Sequence, residues 1–157
     1  MLVREQPATE LTIATRILAR AGALSDDRRI TLRLKDVMYI GGRGVALSTM
    51  TPYDVAVLLV SDGSTLHGQP PADVAAYVDA HRRSPASASV AQTSPGDFVW
   101  APTLRRCVVA ALRRTRGELS SVADDATIEA AWLDLVSQAR ITGALIGAFP
   151  TEDEAPS

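Results

Sequence analysis

The run Val55-Ala56-Val57-Leu58-Leu59-Val60 constrains the fold of this chain most. It is apolar throughout and long enough for a buried strand. Asp62-Gly63 just after it is a hairpin signal, so Ser64 to His67 reads as the return strand. Upstream, Ile30, Leu32 and Leu34 alternate with Thr31, Arg33 and Lys35, the period of a half-buried strand. Lys35-Asp36 can turn the chain into a second strand, Val37 to Ile40. A loop, Gly41-Gly42-Arg43-Gly44, and Val45-Ala46-Leu47 come next, and Thr51 to Asp54 reads as a turn or a single helical turn.

The flanks change period. Leu11, Ala14, Leu18 and Ala21 recur at helical spacing with Thr9 as N-cap and Gly22 as the stop, which predicts a helix over 9–21. Ala72 to Arg83 fits a short helix after Pro70-Pro71, ended by Ser84-Pro85. Ser87 to Gln92 reads as a strand of small residues and Ser94 to Asp97 as a turn. The last third reads as helical. Val99 to Arg116 carries Leu104, Cys107, Val108, Ala111 and Leu112 on one side. Asp124 and Asp125 suit the start of a second helix, whose stripe Ile128, Trp132, Leu135, Ala139, Thr142 and Leu145 spans about six turns. The pattern implies a mixed α/β fold with a largely antiparallel sheet. The expected organisation is a flexible 1–8, one domain over 9–148 and an acidic disordered tail over 149–157.

Composition narrows function. With 16 basic and 18 acidic residues the net charge is −2, which argues against general nucleic-acid binding. No apolar run reaches the roughly 18 residues of a membrane span, and the start MLVREQPATE has no signal core. The one cysteine, Cys107, cannot form an internal disulfide, which fits a reducing, cytoplasmic setting. Lys35 is the only lysine among many arginines, as in chains from GC-rich bacterial genomes.

His67 and His81 have no metal-site spacing and read as solvated surface residues. Cys107, on an apolar stripe, reads as a small buried hydrophobe. Gly41 to Gly44 is either a hairpin turn or an anion cradle with Arg43 adding charge. Arg82-Arg83 and Arg113-Arg114 with Arg116 are either solvated helix faces or binders of a carboxylate or phosphate. Asp73 sits where a helix cap belongs and is also a candidate acid or base.

The stretches ATRILARAGALS, RITLRL, MYIGGRGVALSTMTPYDVAVLLVSDGSTLHG, PPADVAAYVDAHRRSPASASVAQTSP and DDATIEAAWLDLVSQARITGAL, in that order over residues 9–147, resemble the class II aldolase/adducin N-terminal domain family. The resemblance implies a three-layer α/β/α domain, and a homo-oligomer, commonly a tetramer with active sites between subunits. It also implies that this chain is a shortened, degenerate member. The family's catalytic glutamate falls at Asp73. Its metal-binding HxH falls at Gln92, Thr93 and Ser94, and its third histidine at Arg116. Its phosphate-binding strand falls at Arg28 to Thr31 and its phosphate loop at Gly42-Arg43-Gly44. All three imidazoles are therefore replaced by poor or impossible zinc donors, so neither metal nor cofactor is expected.

The resemblance implies two alternative functions. One is a metal-independent lyase, isomerase, cyclase or dehydratase acting on a small carbonyl- or carboxylate-bearing metabolite, in bacterial specialised metabolism. Asp73 and Arg116 would be its catalytic residues, and Arg29, Thr31, Gly42, Arg43, Gly44, Gln92 and Ser94 its binding residues. The other is an inactive scaffold or a partner subunit of an active paralogue.

Overall fold

The first helix, α1 (Glu5–Arg20), presents Leu11, Ala14 and Leu18 to the core, all fully buried. It begins four residues before the predicted start. Pro7 lies in the first turn, where its missing N–H has no helical partner in any case, so Thr9 sits inside the helix and does not cap it. The helix stops where Gly22 turns left-handed (φ +79°), with Ala23 N–H donating to Leu18 O at 2.8 Å. This computed structural model describes residues 5–117 and 125–146. Asp124 and the acidic tail lie outside them.

Four strands form an antiparallel ladder in spatial order: β1 (Thr31–Leu34), β2 (Val37–Gly41), β3 (Val55–Leu59) and β4 (Thr65–His67). Lys35 makes the tight β1–β2 turn at φ +57°. A second ladder pairs β5 (Ser89–Ser94) with β6 (Asp97–Ala101). Ile30 bridges to Ala91, Arg33 N–H donates to Ala88 O at 2.7 Å, and Gln92 N–H donates to Arg29 O at 3.1 Å. These bonds seat β5 beside β1. The helical reading of Val99 to Arg116 is corrected over its first residues. Pro95-Gly96 turns the chain back, and β6 alternates Phe98 and Trp100 on one side with Val99 and Ala101 on the other. The helix α3 (Leu104–Thr115) starts only after Thr103, whose hydroxyl accepts from Arg106 N–H at 3.2 Å.

The alternation sorts the sheet's faces. Ile30, Leu32, Tyr39, Val55, Val57, Ala91, Val99 and Ala101 meet α1, α3 and the last helix, α4 (Asp125–Ile141). Met38, Ile40, Ala56, Leu58 and Phe98 turn the other way, against Tyr77 and Val78 of α2 (Val74–Arg83). Helices thus cover the sheet on both faces, which is why the Val55–Val60 run contains no polar residue. Arg105 lies 5.5 Å from the Trp132 ring centroid and pairs with Glu129, fastening α3 to α4. The last helix is shorter than its stripe predicts. It ends at Ile141, and Gly143 (φ +75°) folds Ala144 and Leu145 back into the core.

Arg16 closes this layer from inside α1. Its guanidinium donates to the carbonyls of Met50 (2.6 Å), Thr49 (3.1 Å), Ala144 (3.1 Å) and Ile146 (2.5 Å). The Arg16→Met variant keeps the apolar stem and strands those carbonyls. It should lose about 3 kcal/mol of unfolding free energy in urea titrations. A loss below about 0.5 kcal/mol would mean that water satisfies these carbonyls equally well.

Candidate functional site

The loop between β2 and the turn at Leu47–Thr49 is held from three sides. Gly42 N–H donates to Asp54 O (2.8 Å), and a Cβ there would come within 2.6 Å of that oxygen, so only glycine fits. Arg43 N–H donates to Gln69 O at 2.8 Å, and Arg43 Nε reaches Pro70 O at 3.2 Å. Beneath lies Arg29, only 4% exposed. Its Nε donates to Gly41 O (3.2 Å), Nη2 to Gly42 O (3.1 Å), and Nη1 to Asp26 O and Arg28 O. Burial holds its pKa below the ordinary value, while Tyr77, Asp73, Asp26 and Asp27 oppose that shift.

A chain of bonds runs inward from this clamp. Arg29 N–H donates to the Tyr77 hydroxyl oxygen (2.9 Å), and that hydroxyl donates to Gln92 Oε1 (3.0 Å). Burial pushes the Tyr77 phenol up to about 12, so it stays a neutral donor. Above the clamp opens a cleft of about 300 Å³, lined by Asp26, Asp27, Arg29, Arg43, Gly44 and Asp73. Asp73 is the N-cap residue of α2, yet its side chain makes no capping bond. Its carboxylate is therefore left to the cleft.

The structure thus brings together Arg29, Arg43, Gly44 and Asp73, with Gly42 buried directly behind them. It does not gather all nine predicted site residues in one place. Thr31 is fully buried, its hydroxyl 2.6 Å from His81 Nε2 and bonded to the Val90 backbone. Gln92 is turned to Tyr77, and Ser94 pairs with Asp97 at the β5–β6 turn. Arg116 lines a separate cleft of about 340 Å³ between α3 and α4, with Arg113, Leu112, Asp134 and Leu135. Within one chain Arg116 does not meet Asp73. Asp26 and Asp27 are the site residues that sequence reasoning missed. They lie beyond the helix stop at Gly22 in a short polar turn, Ser25 to Arg28, and that turn was the available signal.

Other placements bear on chemistry. Cys107 is fully buried, and burial raises its thiol to about 12, so it is no nucleophile. His67 is exposed on the edge strand β4, but His81 is fully buried, which corrects its surface reading. Its place in the third turn of α2 faces the sheet, where Thr31 supplies a polar partner. At Gln92, Ser94 and Arg116, the positions that the resemblance matches to metal ligands, stand an amide, a hydroxyl and a guanidinium, side chains that do not fit zinc. Among the described residues no group of three or more His, Cys, Asp or Glu is placed to hold an ion.

No family model matches the sequence, and no curated protein matches it. Solved structures do. YgbL from Escherichia coli, a provisionally assigned aldolase/epimerase/decarboxylase, is 25% identical at a TM-score of 0.50, over 57% of this chain and 44% of that one. YgbL from Klebsiella pneumoniae is 16% identical at 0.50, over 58% and 45%. The chain therefore spans less than half the length of either YgbL. The L-fuculose 1-phosphate aldolase from Glaciozyma antarctica PI12 is 12% identical at 0.61, over 89% of this chain and 91% of that one. The chain has a class II aldolase-like α/β fold.

Burial depresses the His81 pKa to about 4, the Arg33 guanidinium adds to this, and the Ser87 backbone opposes it. The unfolded imidazole charges near pH 6.5, so between there and pH 4 the unfolded chain binds a proton that the native state refuses. Stability is full above pH ~6.5 and should fall by about 3 kcal/mol as pH drops through 4. Urea midpoints from pH 7.5 to 4 check this, and the His81→Gln variant should lose that part of the slope.

Proposed function

We propose that the cleft under Arg43 and Asp73 binds a small carbonyl- or carboxylate-bearing metabolite and acts on it without a metal. The single observation that carries this is that the Nη atoms of one guanidinium and one whole carboxylate, none of them hydrogen-bonded among the described residues, line the same cleft of about 300 Å³. Arg43 has bonds at its backbone N–H and Nε but none at its Nη atoms among the described residues. A lyase, isomerase, cyclase or dehydratase needs a group that moves a proton beside a carbonyl, and positive charge for the oxyanion that develops. Asp73 fits the first task and Arg43 the second. Arg29, spent on backbone carbonyls, shapes the loop instead of gripping the ligand. The kinship of fold with the L-fuculose 1-phosphate aldolase and YgbL supports carbonyl chemistry as the class, and the missing imidazoles support its metal-free form.

A second reading has its own observation. Leu133, Ile141 (75% exposed) and Ile146 (80% exposed) leave apolar surface on and just beyond α4. This favours self-association into a homo-oligomer, and in the inactive-scaffold reading that assembly would be the function.

One experiment separates the two. Pyruvate and dihydroxyacetone are incubated with EDTA-treated protein in D2O, and proton NMR tracks exchange at the carbon beside the carbonyl. The enzyme reading expects exchange that EDTA leaves unchanged and that Asp73→Asn slows at least about 100-fold. Exchange abolished by EDTA would end the metal-free claim. No exchange on either compound, with a stable oligomer in solution, would favour the scaffold.

A further inference from the structure

Most charges around the cleft are already engaged. The Arg29 guanidinium is committed to carbonyls. Asp26 Oδ1 accepts Leu47 N–H at 3.1 Å. Asp27 accepts the Ser25 hydroxyl at 2.5 Å and lies 3.9 Å from Arg28 Nε. Two lining groups remain. The Asp73 carboxylate makes no hydrogen bond or ion pair among the described residues, and neither do the Arg43 Nη atoms. They share a cleft yet form no ion pair with each other, so the space between them is left to a ligand.

We propose that this ligand is a small ammonium–carboxylate zwitterion of the amino-acid class, its carboxylate on Arg43 and its ammonium on Asp73. The proposal rests on the reading that this cleft is the ligand site. A guanidinium presents paired N–H donors that match a carboxylate, and a carboxylate accepts an ammonium at short range. A phosphomonoester would bring nearly two negative charges to one free guanidinium, beside Asp26, Asp27 and Asp73. A neutral hydroxyl in place of the ammonium would leave the Asp73 charge uncompensated. Pro71 and Ala72 supply a short wall, which suits a small side chain.

Serine and glycerate differ only by ammonium against hydroxyl, so they isolate the claim. Titrations of each into 15N-labelled protein, with glycerol phosphate as a third probe, would be tracked by amide shifts at Arg43, Gly44 and Asp73. Serine should bind at least about tenfold more tightly than glycerate, and glycerol phosphate weakest. Asp73→Asn should erase the serine preference, and Arg43→Ala should weaken serine and glycerate alike. Both side chains are exposed, so both variants should fold. If glycerate matches serine, or glycerol phosphate exceeds both, the zwitterion inference falls while the ligand-site reading stands. If none of the three shifts these amides at millimolar concentration, both fall.

Discussion

The buried guanidinium of Arg29 is the interaction on which the candidate site depends. It enters from the segment before β1 and binds carbonyls of two separate loops, Asp26 on one side and Gly41 and Gly42 on the other. Its own backbone N–H reaches Tyr77 on α2, and its carbonyl accepts from Gln92 on β5. One residue therefore joins the two loops, the helix and the strand around the cleft. A buried cation is costly unless nearly every N–H is bonded, and here carbonyls supply that bonding without cancelling the charge. The surrounding carboxylates then offset the charge at longer range. The result is a rigid floor with Arg43 and Asp73 left free above it.

Much of the architecture was legible from periodicity and turn chemistry. The Val55 to Val60 run, the Asp62-Gly63 hairpin and the alternation from Ile30 to Lys35 all fall on strands or turns, because each is a local rule with a local cause. The strand β6 was not legible in the same way. Val99 runs directly into a helical stripe, and only pairing with β5, a tertiary fact, separates Asp97–Ala101 from the helix α3. The long stripe of α4 misled in the opposite sense. Ala144 and Leu145 continue its apolar pattern but reach the core by a turn at Gly143.

The site was legible only where its geometry is set by loops that the sequence itself marks. Gly42, Arg43 and Gly44 stand in a glycine cluster, and Asp73 comes soon after two prolines, so both positions announced themselves. Thr31 and Arg29 show the limit of reading side chains from strand position. Both belong to the segment expected to grip an anion, yet one hydroxyl serves His81 and one guanidinium serves backbone carbonyls. What a polar side chain does when buried depends on which partners reach it, and Gly41, Gly42 and His81 lie 12, 13 and 50 residues away in sequence.

Fold and chemistry therefore separate in this chain. The aldolase-like layers hold, but keeping that shape needs only the apolar faces and the turn glycines. The positions that the resemblance matches to a metal-donor set, Gln92, Ser94 and Arg116, carry an amide, a hydroxyl and a guanidinium turned to other partners or another cleft. A site emptied by drift alone would tend to lose its exposed charges or pair them off. Here Arg43 and Asp73 line one cleft without an ion pair among the described residues, while the groups around them are bonded. Two opposite charges held apart by a rigid floor are costly to neither partner in water, but they are complementary to a ligand that spans them.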